Sequence, residues 1–173
     1  AAMGIVNRFG MFSGSALIGF GQGFQPVCGF NYGAGLYGRV RQAYWFCVKV
    51  GTAVLTVIAA LGIWFAPQIV HFFQPNAPLV VELGTAAMRC QLVTLLVMSY
   101  VILNNMMLQT VGENFRASVL ALARQGLFFI PLILILPPLF DFTGVMLAQP
   151  IADLLATVLT VPLSVSFLRK MRA

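Results

Sequence analysis

One of the four carboxylates in the chain, Asp153, stands in an otherwise uncharged apolar stretch, within PIADLLA. An acid in such surroundings has two uses. Held neutral at rest and ionised when water reaches it, it is a cation-coupling site for protons. Bonded to a neighbour such as Arg89, it is a structural tie between helices. A second set is uncharged: Gln22 and Gln25, three apart on one helix face, Asn31 further along, and Asn104, Asn105 and Gln109 within MSYVILNNMMLQ. Amides mixed with methionines and aromatic rings make a compliant cavity wall, because they impose no single rigid hydrogen-bond pattern on a ligand. The same amides can instead join helices, at about 1 kcal/mol each.

Glycine forms the third set, with ten of the sixteen before residue 39. Gly10 with Gly14, Gly19 with Gly23, and Gly29 with Gly33 have the four-residue spacing that lets helix backbones approach closely. Pro26 removes one ladder hydrogen bond and predicts a bend. A packed, bendable, polar-dotted helix suits a moving part; tight packing alone would need the same glycines.

Enzymatic chemistry finds no constellation here. A membrane-embedded enzyme needs clustered His, Asp, Glu or Cys, whereas this chain has a lone His71 and four scattered acids. Cys28, Cys47 and Cys90 lack paired spacing and read as small buried hydrophobes. No phosphate-binding loop, dinucleotide fingerprint or metal spacing is present. The sequence therefore predicts neither an enzyme nor a metal site, and no cofactor beyond a coupling ion.

The elements that must position these residues follow from composition. Sixty per cent of the 173 residues are hydrophobic and 8% are charged, too few to build a water-facing surface. Runs 9–38, 50–81, 90–112, 125–140 and 154–168 contain no Asp, Glu, Lys or Arg. Several exceed the roughly 20 residues needed to cross a hydrocarbon core of about 30 Å. They lack the period-two alternation of a membrane barrel, so helices are predicted over about 3–33, 43–70, 84–110, 117–138 and 143–167. The connections are LYGRVRQA, HFFQPNAPLVVE, VGENFRAS and PPLFDFTG.

The net charge of +6 does not imply nucleic acid, because eight of the ten basic residues cluster at alternate connections. Arg39, Arg41 and Lys49 form one cluster, Arg116 and Arg124 a second, and Arg169, Lys170 and Arg172 a third. These are expected on the cytoplasmic side together with the C-terminus, with Arg8 and Arg89 opposite. Asp153 then lies about 15 Å deep and Arg124 about 10 Å inside the cytoplasmic face. Arg124 is expected to snorkel or to pair within the bundle, and neither Arg124 nor Arg89 is assigned to ligand contact.

The segment GFGQGFQPVCGFNYGAGLYGRV resembles the signature at the end of the eighth helix in the multidrug and toxic compound extrusion (MATE) family, in its bacterial MepA-like branch. AAMRCQ, LQTVGENFRASVLALARQGLFFIPLILILP and GVMLAQPIADLLATVLTVPL continue the resemblance in order, from Ile5 to Leu168. The resemblance implies an antiporter in the bacterial inner membrane, exporting lipophilic or cationic drugs while protons or sodium ions run inward. It implies twelve helices in two lobes around a central cavity, with the present segments as helices eight to twelve of the C-terminal lobe. On that reading the seventh helix and the N-terminal lobe are missing. The stretch RCQLVTLLVMSYVILNNMML lacks the tenth-helix carboxylate of some branches, which argues for protons over sodium. Two further readings stand beside it: a lipid-linked oligosaccharide flippase, whose cavity would be lined with cations, and a nonfunctional membrane remnant.

Overall fold

The computed structural model describes residues 2–73 and 78–171. Residues 74–77 of the second connection and Arg172 of the C-terminal basic cluster lie outside the described residues. The described chain is a bundle of α-helices: α1 (Ala2–Gly33), α2 (Tyr37–Phe73), α3 (Pro78–Thr110), α4 (Asn114–Leu122), a π-helical turn (Ala123–Phe128) and α5 (Phe129–Lys170). Backbone angles at Phe140 and Asp141 leave the helical region, so α5 consists of two arms, 129–139 and 142–170.

Five rods result, because α4, the π turn and the first arm of α5 run on as one. Three stretches are long and apolar enough to cross a membrane: Tyr37–Phe73, Val81–Thr110 and Asn114–Arg169. The last has 56 residues, about 84 Å if straight, far beyond one crossing. It folds back at Phe140 and Asp141, where a Cβ built on Gly144 would overlap the Leu136 carbonyl. The two arms are therefore separate crossings. At 32 residues α1 is long enough to span, although its glycines and amides make it less apolar than the other rods.

The surface identifies the solvent. One stripe of α2, from Val40 and Tyr44 through Leu55 and Ala59 to Val70, is buried at steps of three and four residues. The opposite face is equally apolar: Trp64 is 77% and Phe72 81% exposed. Water would penalise such a face, whereas lipid accepts it. This is an all-α integral membrane protein. Its axis is α3, which packs on α1, α2, α4 and α5.

Both described turns between helices end the same way. Leu36 and Gly35 donate to the carbonyls of Asn31 and Tyr32, and Glu113 and Gly112 donate to those of Leu108 and Gln109. Gly35 and Gly112 have φ of 72° and 85°. This is the Schellman termination, which needs a left-handed residue that glycine supplies without strain. Because the caps are tight, α2 begins at Tyr37 rather than near 43, and α4 at Asn114 rather than near 117. Arg39 and Arg116, expected in loops, stand in first helical turns, and Arg41 stands just beyond the first turn of α2.

Tyr32, Val40, Tyr44, Leu108, Ala117, Phe167 and Met171 share one core cluster. The ends of α1, α3 and α5 and the starts of α2 and α4 therefore meet at one end of the bundle. That end carries Arg39, Arg41, Arg116 and Arg169.

The glycines pack differently from expectation. Leu17, Gly21, Phe24 and Cys28 form the buried face of α1. A Cβ at Gly21 would overlap Met106, and one at Gly29 would lie 3.1 Å from the Thr110 methyl. Gly19, Gly23 and Gly33 have nothing within 4 Å of a built Cβ. Gly19 and Gly23 stand two residues from Gly21, about 160° to 200° round the helix. Four-residue spacing sets a stripe without saying which way it faces. The helix also runs through Pro26 unbroken.

Candidate functional site

Asp153 lies on the second arm of α5 and is 2% exposed. Its Oδ1 accepts from Arg124 Nε at 2.8 Å and from Gln149 Nε2 at 3.2 Å, and its Oδ2 accepts from Gln91 Nε2 at 3.4 Å. Three elements converge on this carboxylate: the π turn brings Arg124, α3 brings Gln91, and the preceding turn of α5 brings Gln149. A π turn inserts one residue into the α ladder and so changes which way its side chains face. The Arg124 charge compensates the acid at a depth where a bare carboxylate would cost several kcal/mol. Thr94 and Thr157 hydroxyls are bonded to the carbonyls of Gln91 and Asp153, securing the local backbone.

The expected partner Arg89 is elsewhere. It is exposed and borders a separate hollow of about 590 Å³ with His71 and Glu82. Depth arithmetic contained the answer: Arg124, about 10 Å from the inner face, and Asp153, about 15 Å from the outer face of a ~30 Å core, differ by only about 5 Å in height.

Beside this pair, α1 and the rod formed by α4, the π turn and the first arm of α5 leave an open-sided groove with α3 as its floor. It comprises two adjoining hollows of about 710 and 310 Å³ that share Ile18, Ile102, Arg124 and Gln125. Gly10 and Gly14 border the larger hollow with Met98, Phe129, Gln91 and Gln149. Asn105, Met106 and Gln109 border the smaller one. Asn105 Nδ2 donates to the Ala117 carbonyl at 2.7 Å, and Gln109 Nε2 donates to Asn105 Oδ1.

Asn105 and Gln109, expected on a cavity wall, border this groove, together with Gln91, Gln125 and Gln149, which the sequence did not single out, and Arg124, which it set aside as a ligand contact. Gln149 had a local signal, four residues before Asp153 and so on the same helix face. Asn104 is fully buried and donates to the Tyr44 hydroxyl at 3.2 Å, a tie between α3 and α2 rather than a groove residue. Asn31 donates to the carbonyl of Val27 within α1 at 2.8 Å. Gln22 is exposed and Gln25 half-buried, and neither borders the groove. Among the described residues, no three His, Cys, Asp or Glu side chains gather as metal ligands.

A lipid-facing helix bundle with a groove beside a compensated internal charge defines a polytopic membrane protein. The MatE family model matches residues 1–135. The chain belongs to that family. It is 28% identical over 154 residues to the multidrug export protein MepA of Staphylococcus aureus (strain bovine RF122 / ET3-1) and 26% identical over 153 residues to that of Staphylococcus haemolyticus (strain JCSC1435). Each alignment covers 88% of this chain and 33% of the relative, so the chain spans about a third of the length of those curated relatives. Its fold is that of a multidrug resistance MATE family transporter of the MOP superfamily solved in an outward-facing conformation, with a TM-score of 0.92 at 19% identity, covering 100% of this chain and 39% of that one.

Proposed function

We propose that the chain forms most of the C-terminal lobe, helices eight to twelve, of a multidrug efflux antiporter in the bacterial cytoplasmic membrane. The observation that carries this reading is the groove between α1 and the α4–α5 rod, walled by amides, methionine and Phe129 and floored beside a buried ion pair. Such a wall takes bulky amphipathic molecules of varied shape. The family membership and the multidrug export relatives point the same way. The remaining length of those relatives would supply the other helices and the N-terminal lobe. Gln22 and Gln25, outside the groove on α1, are proposed to face the cavity shared between lobes. Basic residues gathered at one end favour a cytoplasmic C-terminus.

Proton coupling is proposed to act through Asp153. A proton on this carboxylate removes the charge that holds Arg124, which frees the π turn to shift against α5 and α3. The test uses the complete gene product in an efflux-deficient bacterium. Expression should lower ethidium accumulation, a protonophore should restore it, and Asp153→Asn should abolish export driven by a pH gradient. Unchanged accumulation across several lipophilic cations overturns the export reading, and a fully active D153N removes Asp153 from the coupling step.

A further inference from the structure

Arg89 stands where a cation needs a counter-ion that the bundle does not supply. On α3, Leu79, Glu82, Ala86, Arg89, Val93 and Leu96 recur at steps of three and four residues and are all exposed, so they form one stripe on the outward side of that helix. Four of the six are apolar, as a face toward lipid requires, and the two charges interrupt them. The ion pairs among the described residues are Glu113 with Arg116 and Asp153 with Arg124, so Glu82 and Arg89 are paired neither with each other nor with another described charge. Both border the hollow of about 590 Å³ that His71 of α2 also lines. Between them on its wall are Ala86, too small to fill the gap, and Thr85, whose hydroxyl already donates to the Val81 carbonyl at 2.7 Å. A second hollow of about 490 Å³ adjoins through Pro67, His71 and Val81 and adds the ring of Phe72.

We propose that this hollow binds the headgroup of phosphatidylethanolamine, taken from the membrane leaflet at the end of the bundle away from Arg39, Arg41, Arg116 and Arg169. Only the lipid-facing bundle is needed for this, so the inference stands apart from the export reading. At that end α3 begins at Pro78, which puts Glu82 toward the membrane surface and Arg89 two turns deeper, about 10 Å along the axis. A phospholipid presents its charges in the same order, with the phosphate next to the glycerol and the amine beyond it. The fork of the Arg89 guanidinium matches the phosphate oxygens, and the Glu82 carboxylate accepts from the ammonium N–H groups. Two charges that the bundle leaves uncompensated are thereby both compensated by one zwitterion. Val93 and Leu96 continue the stripe below Arg89 as a surface for the acyl chains. Phosphatidylglycerol offers Arg89 the same phosphate but sets hydroxyl groups, without a cation, against Glu82. Phosphatidylcholine carries a cation that has no N–H to donate.

Native mass spectrometry of the purified complete gene product tests the proposal. The protein is stripped of lipid in nonionic detergent and offered phosphatidylethanolamine, phosphatidylglycerol and phosphatidylcholine in equal amounts. Wild type should retain phosphatidylethanolamine over either competitor by about threefold or more. Arg89→Gln should lower its retention about tenfold. Glu82→Gln should bring the ratio of phosphatidylethanolamine to phosphatidylglycerol to about one, because the feature that separates the two lipids is the cation facing Glu82. Arg8→Gln removes another exposed cation that does not border the hollow, and retention should stay within about twofold of wild type. A wild type that holds no lipid, or holds phosphatidylglycerol or phosphatidylcholine as well as phosphatidylethanolamine, overturns the proposal. Equal losses in R8Q and R89Q overturn it too, since they reduce the effect to general surface charge. Should R89Q fail to fold, the exposed Glu82 still permits the decisive comparison: an unchanged lipid ratio in E82Q overturns the proposal.

Discussion

The ion pair predicts an asymmetric response to removing either partner. Asp153 is 2% exposed and Arg124 18%. In Arg124→Gln the carboxylate stays in a place water does not reach, with two amide donors at 3.2 and 3.4 Å as its remaining support. Breaking a buried pair in this way costs about 3 to 5 kcal/mol, and those amides favour the lower end. In Asp153→Asn the orphaned guanidinium borders an open groove and can draw water, so the loss should be about 1 kcal/mol. The double variant leaves only amides at the site and should recover most of the R124Q loss, giving a coupling of about 2 to 3 kcal/mol in the cycle. Thermal melting of the detergent-solubilised complete protein, followed by the monodisperse fraction on size exclusion, provides the ranking. Equal losses in the two single variants with an additive double variant would refute both the burial argument and the role of the groove as a water path to Arg124.

Three further outcomes are expected. Gly144→Ala places a methyl group against the Leu136 carbonyl and should destabilise the fold-back in α5 by about 1 to 3 kcal/mol in the same melting assay. Asp141 holds φ of 48° and ψ of −130°, so Asp141→Gly should raise the melting midpoint by relieving up to about 1 kcal/mol of backbone strain. Gly14 borders the larger hollow and has open space around a built Cβ; Gly14→Phe should leave thermal stability within about 0.5 kcal/mol while weakening binding of ethidium to the complete gene product by about tenfold or more.

What could be read from the sequence was whatever depends on position along a helix. Uncharged runs located the rods, alternate basic clusters placed their ends on one side, and Asp153 stood out because charge in an apolar run must be compensated somewhere. Direction around the helix axis was harder to read. Arg124 and Asp153 could be matched in height, but the π turn that faces one toward the other has no signature in ARQGLF. Gly19 and Gly23 have the spacing of a contact stripe, yet neighbouring Gly21 meets α3, because Leu17, Phe24 and Cys28 fix the buried face. Adjacent Asn104 and Asn105 diverge for the same reason, one toward Tyr44 and the other toward the groove.

The glycines of α1 consequently divide their work by azimuth. Gly21 and Gly29 bring α1 close to α3, while Gly10 and Gly14, half a bundle away from the basic end, keep side chains out of the larger hollow. Small residues therefore both close the bundle and open its groove, and the two tasks oppose one another along a single helix. Moving α1 toward the α4–α5 rod would fill the groove only if Arg124 and Gln125 gave way, because they stand on the facing wall of both hollows. Arg124 cannot give way while Asp153 holds it. On the coupling proposed for Asp153, the ion pair and the open groove are linked, and neutralising Asp153 would act on the shape of the groove as well as on its charge.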